Sequence, residues 1–485
     1  MRRGILGGMK TALLTVLTLG VCQMFVYADL YVSPSGRDTH NGLTRDAPFR
    51  TLARALRAAQ DGKERRIVVL GALDAASEAG AGGVPDSVFY IRDTGSEEIV
   101  ITGGGGSPAE LRGMAGKRVL TVQGNAHILL QDLRLTAGDT PFNGGGVFIE
   151  GGSRLTLGKG AAVQGNRAQE GGGVYMRDGV FTLEADSVIA DNAVRTDEGG
   201  GAVLFNTVFT MRDSAAIQGN SGGGIVLHGG TGTLLDNAAI QDNQCQFDGG
   251  GIALYQGELF IQGRAAVRGN HAGRNGGGIM VSLHGNVMIR DDASIADNQA
   301  GNDGGGVAVR LNSVCVVQGR GSITGNRAGD DGGAVYNLAS ELVLKEGARI
   351  LDNTAACGGG VCAEGVPSAP AGASFGGASS FTVVQDQALV QGNKALGESQ
   401  GGGGLCAGID ALILMKGGEV KENLSVNGGG VYIEGGSFKH SGGVVTDNAA
   451  RHGGGLYKQS GKLRITNGDI SGNAPNDIVN SLRQP

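Results

Sequence analysis

A repeat of about 27 residues constrains the fold of this chain more than any other feature of the sequence. Each unit contains two or three small residues, mostly glycine, followed by an aliphatic residue. The aliphatic positions are Val147, Val174, Val203, Ile225, Ile252, Ile279, Val307, Val335, Val361, Leu405, Val431 and Leu456. Successive positions are 22 to 29 residues apart, with one step of 44 residues between Val361 and Leu405. Chance does not keep such a register, so the sequence predicts a repeat protein.

Each repeat predicts three short β-strands separated by turns. In the unit over residues 171–192, the candidate strand segments are GGGVYM, VFTL and SVIADN. One such coil cannot bury its apolar face alone, whereas stacked coils pair strand on strand and bury a continuous core. The predicted fold is therefore all-β, a single right-handed parallel β-helix with three-strand coils of about 27 residues and a short N-terminal capping helix.

An asparagine recurs in step with the glycine run, usually directly after glycine or aspartate. Its positions are Asn166, Asn192, Asn220, Asn243, Asn270, Asn298, Asn326, Asn353, Asn393, Asn423, Asn448 and Asn473. Asparagine tolerates the left-handed backbone conformation that tight turns use. Stacked side-chain amides also hydrogen-bond from one coil to the next. We therefore expect an asparagine ladder along the repeats.

The composition excludes several other classes of protein. Glycine supplies 93 of 485 residues, and each glycine in a helix interior costs roughly 1 kcal/mol, so a helical repeat protein is excluded. Nine prolines are too few for collagen. The net charge is −6, no basic block is present, and aromatic residues make up 4% of the chain, so no nucleic-acid partner is expected.

Residues 1–28 are predicted to be a secretory signal peptide. Arg2, Arg3 and Lys10 precede an apolar run, and Ala28 ends an A-x-A-like cleavage site. The segment ending at Cys22 also resembles a lipobox, so a lipid anchor at Cys22 is the alternative to cleavage after Ala28. No later apolar run is long enough for a transmembrane helix in the mature chain. Export from the cytoplasm follows from either alternative.

The remaining chain divides into three predicted regions. Residues 29–115 form an N-terminal cap and irregular first coils, in which Thr51 begins an amphipathic helix with Leu52, Ala55, Leu56 and Ala59 on one face. Residues 116–475 are the β-helix repeats, and residues 476–485 are a C-terminal tail. The 44-residue step is explained by residues 365–380, a stretch of small residues and proline that predicts a loop projecting from the solenoid.

Two cysteines flank this loop at equivalent positions of consecutive coils. Cys362 and Cys406 each follow the aliphatic residue of the glycine run, so stacking places them about 4.8 Å apart. That separation suits a disulfide, and Cys362–Cys406 is the candidate bridge. Cys357 is close enough in sequence to compete, and five free thiols in the mature chain are the alternative.

Two further columns of side chains are candidate binding features. Asp248, Asp303 and Asp331 precede the glycine run, so their stacked oxygens are candidates for Ca²⁺, with solvated loop residues as the alternative. No other metal or cofactor is expected.

The residue after each aliphatic position is predicted to point outward. These outward positions include Leu204 and four tyrosines, which form a candidate stripe for binding an extended glycan or protein chain: Tyr175, Tyr336, Tyr432 and Tyr457. Stacking that stiffens the solenoid is the alternative.

The repeats also resemble a known family. The segment Asn326-Arg327-Ala328, followed by Gly332-Gly333-Ala334-Val335-Tyr336, is similar to repeats in the passenger region of chlamydial-type polymorphic outer-membrane proteins. The segment beginning Tyr31-Val32-Ser33-Pro34 resembles the N-terminal segment of pectate-lyase-like right-handed β-helix proteins. The first resemblance implies a surface protein that acts in adhesion.

These observations together predict an exported bacterial surface β-helix protein, a non-catalytic scaffold for adhesion or ligand binding. Its expected partner is a glycan or protein ligand at the cell surface, and its expected location is the outer membrane surface or the medium, with the periplasm as the alternative. Catalytic sites on such scaffolds use clustered side chains that depart from the repeat consensus. The sequence shows no such cluster, so no catalytic residue is assigned. A polysaccharide lyase or hydrolase on the same fold and a periplasmic structural protein are the alternative functions.

Overall fold

The structure is a computed structural model that describes residues 29–62, 64–80, 83–95, 97–105, 109–366, 379–398 and 401–481. These residues form an all-β parallel solenoid of about 14 turns, with helix α1 (Leu52–Asp61) near the N-terminus. The predicted fold class is therefore confirmed. The predicted signal peptide with Cys22, and residues 367–378 of the predicted loop, lie outside the described residues.

Each repeat contributes up to four strands, which we call the first to fourth strands of a coil. In one coil these are Val174–Arg177, Val180–Leu183, Val188–Ala190 and Ala193–Val194. The first three correspond to the three predicted segments. The fourth has only two residues, too few to show the alternation by which a strand is predicted from sequence.

The first strands form one 15-stranded sheet, which we call the first-strand sheet. Its strands are Ser87–Arg92, Arg118–Gln123, Val147–Ile149, Val174–Arg177, Ala202–Phe205, Ile225–His228, Ile252–Tyr255, Ile279–Ser282, Val307–Arg310, Val335–Leu338, Val361–Glu364, Leu405–Ala407, Val431–Ile433, Leu456–Lys458 and Ile478–Asn480. The last of these strands lies inside the predicted C-terminal tail, so the solenoid extends beyond residue 475.

The second and third strands join into a 29-stranded sheet, because the two long strands Ala411–Lys421 and Ser437–Thr446 span both positions. Its other strands are Leu30–Val32, Arg66–Val69, Ala72–Leu73, Ile99–Gly103, Ala109–Arg112, His127–Gln131, Leu133–Thr136, Arg154–Leu157, Ala162–Gln164, Val180–Leu183, Val188–Ala190, Val208–Met211, Ala216–Gln218, Thr231–Leu234, Ala239–Gln241, Glu258–Ile261, Ala266–Arg268, Asn286–Ile289, Ser294–Ala296, Val314–Val317, Ser322–Thr324, Glu341–Leu344, Arg349–Leu351, Ser380–Val384, Leu389–Gln391, Lys462–Ile465 and Asp469–Ser471.

The fourth strands form one eight-stranded and one two-stranded sheet. The eight are Gln244–Cys245, His271–Ala272, Gln299–Ala300, Arg327–Ala328, Thr354–Ala355, Lys394–Ala395, Leu424–Asn427 and Ala449–His452, and the two are Arg167–Ala168 and Ala193–Val194. Neighbouring coils pair in parallel in all these sheets, for example Val147 with Val174 and Phe181 with Phe209.

One apolar core runs through the interior of the solenoid. Val174 and Met176 point inward from a first strand and are fully buried, as the alternation of side chains in a strand predicts. The rings of Phe181 and Phe209, from consecutive second strands, lie 5.7 Å apart in this core. Repeated stacking of equivalent side chains therefore supplies the burial that a single coil lacks.

The predicted register is wrong by one residue in one coil. Ala202, and not Val203, pairs with Val174, so Val203 points outward and Leu204 lies in the core. The sequence there reads Gly-Gly-Gly-Ala-Val, and its run of four small residues allows two alignments with the repeat. A shift of one residue exchanges the inward and outward faces of a strand, which is why Leu204 was misplaced.

The expected asparagine ladder is present. The side-chain oxygen of Asn298 accepts hydrogen bonds from the backbone N–H and from Nδ2 of Asn270, both at 3.0 Å. Its own Nδ2 donates to the carbonyl of Val267 and to Oδ1 of Asn326, both at 3.0 Å. The same side-chain bonds run from Asn166 to Asn473, where the Asp477 carboxylate is the last acceptor. Each asparagine thus satisfies buried donors of the coil before it.

Helix α1 covers the N-terminal end of the core, as predicted. The Thr51 side chain accepts a hydrogen bond from the backbone N–H of Arg54 at 3.0 Å and caps the helix. The four apolar residues predicted for one face, Leu52, Ala55, Leu56 and Ala59, are all buried. The Glu78 carboxylate accepts further N–H bonds at the start of the helix, from Leu52 at 2.5 Å and from Ala53 at 3.4 Å.

Glu78 gives this cap a pH-dependent contribution to stability. Burial outweighs the two backbone hydrogen bonds and raises the pKa of the Glu78 carboxyl from 4.5 to about 7. The folded protein therefore binds this proton more tightly, so the contribution is complete below pH 4.5 and is lost as the pH rises through 7. We expect the free energy of unfolding to be higher in acidic than in mildly alkaline solution, with Glu78 contributing up to roughly 3 kcal/mol of that difference. Glu78→Gln is expected to abolish this contribution, as measured by thermal unfolding at several pH values. Parallel pH profiles for the two proteins would contradict this expectation.

Candidate functional site

The outer face of the first-strand sheet carries two columns of side chains, because each first strand has two outward positions. The first outward column contains the four tyrosines of the predicted stripe. The second outward column lies two residues further along each strand. It contains Arg92, Gln123, Glu150, Arg177, Phe205, His228 and Tyr255 in consecutive coils. The two columns run side by side along the solenoid.

The tyrosines of the predicted stripe stack but are not exposed. The relative exposure is 2% for Tyr175, 6% for Tyr336 and 0% for Tyr432, while Tyr457 is half-buried. The expectation of an exposed stripe is therefore wrong for the first three. The reason is that the glycine run of each coil folds over the start of its first strand: a Cβ on Gly171 would lie 3.0 Å from the Cβ of Tyr175. These residues fit the alternative of stacking, as in the Tyr432–Tyr457 ring pair at 6.0 Å.

The second outward column is more exposed than the first. Phe205, His228 and Tyr255 are half-buried and stack, with ring centroids 4.4 Å and 5.1 Å apart, and Arg177 is exposed. Burial lowers the pKa of His228, which favours a neutral ring in this stack. The predicted stripe comprised only the first outward position of each strand. Period-two alternation also indicates the position two residues later, and that signal locates this column.

Arg177 joins the two columns. Its Nε donates a hydrogen bond to the Tyr175 hydroxyl at 2.9 Å, and this bond raises the pKa of the guanidinium. The guanidinium carbon lies 5.5 Å from the ring centroid of Tyr175 and 5.0 Å from that of Phe205. Two cation–π contacts and one hydrogen bond therefore hold an exposed guanidinium at a fixed place on the face.

Two open clefts adjoin on this face and together form what we call the groove. The first, of about 500 Å³, is lined by Arg118, Phe142 and Phe148, and the second, of about 640 Å³, by Arg92 and Arg177. Both clefts share Gln123 and Glu150. Phe142 is 55% exposed, so it offers an uncovered aromatic ring beside the first cleft.

Hydrogen bonds position the polar residues of the groove. Nε2 of Gln123 donates to Oε1 of Glu150 at 2.6 Å, and the Tyr90 hydroxyl donates to Oε1 of Gln123 at 3.0 Å. Arg118 pairs with Asp86 at 2.8 Å and lies 4.6 Å from the ring centroid of Phe148. Aromatic faces beside oriented amide, carboxylate and guanidinium groups suit an extended ligand with both apolar faces and hydroxyl or amide groups.

The candidate calcium ligands form the predicted column but do not meet at one point. Oδ1 of Asp248 accepts hydrogen bonds from Asn275, whose own Oδ1 accepts from the backbone of Asp303. Asp248 also pairs with Arg274 at 3.0 Å. Burial raises the pKa of Asp303 to about 6 and, with the nearby Cys357, that of Asp331 to about 8. Among the described residues, Asp331 is the one of the three carboxylates that belongs to a compact group of three potential ligands, together with Cys362 and Glu364, and Ca²⁺ binding stays a prediction.

The structure brings three cysteines together at the base of the predicted loop. Cys362 and Cys406 are Cα partners in adjacent first strands, which confirms that they are neighbours. Cys357 packs against both, with its Sγ 3.0 Å from that of Cys406. All three carry free thiols in this structure, so the Cys362–Cys406 disulfide stays a prediction. Cys245 and Cys315 lie elsewhere, and burial raises the pKa of each thiol to about 12.

The parallel pairing of successive coils and the continuous internal core define the scaffold that carries these sites. Residues 120–300 match the family model described as a right handed beta helix region. The matched segment includes most of the groove residues, from Gln123 to Arg177, and the aromatic part of the second outward column, from Phe205 to Tyr255. No curated protein matches the sequence. No helix in the described part of the chain is long and apolar enough to cross a membrane.

Proposed function

We propose that this protein is an exported bacterial surface scaffold that binds an extended ligand, a glycan or a protein segment, along the groove without chemical conversion of the ligand. The observation that carries the proposal is the row of aromatic, amide, carboxylate and guanidinium groups on one open face of consecutive coils. Coils repeat every ~4.8 Å, so a chain lying along the solenoid axis meets a new set of contacts at each coil. Such a surface can bind a repetitive ligand through many weak contacts.

Three sequence features support the surface location in this proposal. The basic and apolar character of residues 1–28 supports export, with cleavage after Ala28 or a lipid anchor at Cys22. The resemblance of the repeats to those of polymorphic outer-membrane proteins supports adhesion at the cell surface. The resemblance of the N-terminal segment to pectate-lyase-like proteins supports a carbohydrate ligand.

The binding proposal predicts that Arg177→Ala weakens the interaction selectively. Loss of a hydrogen bond to a charged group costs about 1.5–3 kcal/mol, so the affinity for the bound ligand is expected to fall roughly tenfold or more. Binding of the purified protein is measured against uronate-containing and neutral polysaccharides, matrix proteins and an envelope fraction. Arg320→Ala is the matched control, because Arg320 pairs with Asp292 on a turn of the 29-stranded sheet, away from the groove.

Four outcomes contradict the proposal. If the protein binds no member of the panel, the ligand-binding role is contradicted. If Arg177→Ala and Arg320→Ala lose the same amount of affinity, the groove is not the binding site. Cleavage of a polysaccharide in the same panel favours the lyase or hydrolase alternative. Protease treatment of intact cells tests the location, since digestion is expected for a surface protein and protection until the outer membrane is broken contradicts it.

A further inference from the structure

A compact set of metal-ligating atoms lies on the outer face of the first-strand sheet, away from the groove. The Sγ atoms of Cys357, Cys362 and Cys406 all lie within 4.8 Å of one another. The relative exposures of the three residues are only 4%, 0% and 2%. Cys362 and Cys406 reach the site through strand pairing, and Cys357 reaches it because the residue before the glycine run folds back over the sheet.

A carboxylate completes the set. Asp331 is the bridge partner of Cys357 in the preceding coil, and oxygens of Asp331 and Glu364 lie within 4.8 Å of the Cys362 sulfur. Glu364 accepts a hydrogen bond from the Tyr336 hydroxyl at 2.9 Å and is held toward that ring. No lysine or arginine in the described ranges forms an ion pair with Asp331. Asp331 is therefore the carboxylate free to act as a ligand.

We propose that Cys357, Cys362, Cys406 and Asp331 form a tetrahedral zinc site. Cysteine thiolates and aspartate carboxylates are both zinc ligands, and a set rich in thiolates favours zinc over harder cations. Zinc–sulfur bonds of about 2.3 Å separate two sulfur atoms by about 3.8 Å in a tetrahedron. That separation lies between the 3.0 Å from Cys357 to Cys406 and the 4.8 Å limit that holds for the three sulfur atoms, so the thiolates reach it by small side-chain rotations. Asp331 has an oxygen within 4.8 Å of the Cys362 sulfur and approaches the metal from that side.

The site has a structural role in this proposal, because four protein ligands leave no open position for a substrate. Its ligands come from coils on both sides of the 44-residue step, so the metal fastens the base of the loop over residues 365–380. Metal binding releases to solvent the three thiol protons and any proton held by the Asp331 carboxyl. A single disulfide in the cluster would instead leave one buried thiol beside the Asp331 carboxylate.

Cobalt titration tests the site directly. The full chain carries alanine in place of Cys22, Cys245 and Cys315, so that only the cluster thiols remain, and it is reduced before Co²⁺ is added. We expect thiolate-to-cobalt charge-transfer bands, strong visible bands of tetrahedral cobalt, and displacement of both by one equivalent of Zn²⁺. Cys406→Ala is expected to abolish these bands, and Asp331→Asn to shift the visible bands. Asp303→Asn, a neighbouring carboxylate of the same column, is the matched control and leaves the spectrum unchanged.

A second measurement covers the case in which Cys406→Ala does not fold. In the protein with all three cluster cysteines intact, Zn²⁺ is expected to protect three thiols from alkylation, as counted by mass spectrometry. Absence of cobalt bands in reduced, folded protein overturns the proposal, as does their persistence in folded Cys406→Ala. Isolation of the natural protein with a disulfide inside the cluster and no zinc overturns it as well. An unchanged spectrum in Asp331→Asn overturns the assignment of the fourth ligand.

Discussion

Replacing Asn298 with alanine is expected to lower the free energy of unfolding by about 2 to 6 kcal/mol. The substitution removes the acceptor for two buried donors of Asn270, its backbone N–H and its Nδ2. It also removes the donor to the carbonyl of Val267. An unsatisfied buried polar group costs about 1–3 kcal/mol, and water has no access because Asn270 and Asn298 are each 1% exposed. The cost exceeds that of one ordinary hydrogen bond because the ladder shares each acceptor between two donors.

Chemical denaturation measures the total loss, and amide hydrogen exchange locates it. The backbone N–H of Asn270 is expected to exchange faster in Asn298→Ala, since its acceptor is gone. Asn302→Ala is the matched control, because Asn302 is exposed and lies in the same repeat. Equal effects of the two substitutions, or unchanged exchange at Asn270, would show that the ladder does not stabilise the coils.

The solenoid and its ladder could be predicted because both repeat. Each coil must place an aliphatic residue inward, and each must turn at a glycine run and an asparagine, so the pattern recurs in step along the chain. The Asn298 bonds described above follow from that register alone. Helix α1 could be predicted for a different reason, since Thr51 is a good N-cap and the apolar spacing after it is helical.

The register at Ala202 and the burial of Tyr175 could not be predicted in the same way. The four small residues before Val203 fit the repeat in two alignments, and only the pairing of Val174 with Ala202 decides between them. The cover over Tyr175 comes from the path of a glycine run that carries no side chains to reveal where it packs. Alternation along a strand distinguishes inward from outward side chains, but outward is not the same as exposed.

The meeting of Cys357 with Cys362 and Cys406 is also a property of the fold. Equivalent positions of adjacent strands are always neighbours in the stacked coils, so the repeat in the sequence predicts that Cys362 and Cys406 lie side by side. Cys357 lies before the glycine run, and its place depends on how that turn folds back on the sheet. Contacts between a turn and a strand lack the fixed spacing that makes strand-to-strand contacts predictable.

Phe209→Ala is expected to destabilise the protein by about 3–5 kcal/mol, the usual cost of truncating a fully buried phenylalanine. Phe209 is 0% exposed, and its ring lies 5.7 Å from that of Phe181. Its Cα partner in the next coil is Gly232, which has no side chain to fill the cavity. Neighbouring side chains can therefore move into the cavity only to a limited extent. The loss in free energy of unfolding is expected near the upper end of this range.

Val208→Ala is the matched control for Phe209→Ala, because Val208 is the preceding residue of the same strand and is 52% exposed. Its substitution is expected to change the free energy of unfolding by no more than about 0.5 kcal/mol. Denaturant unfolding of both variants compares an inward with an outward position at one place on the backbone. Similar losses would contradict the inward placement of Phe209, since a shift of one residue exchanges the two faces. Phe205, whose ring contacts Arg177 beside the groove, lies in the same coil as Phe209. Weaker ligand binding by Phe209→Ala would therefore reflect the stability of that coil, whereas weaker binding by Arg177→Ala reports contact of the exposed guanidinium with the ligand.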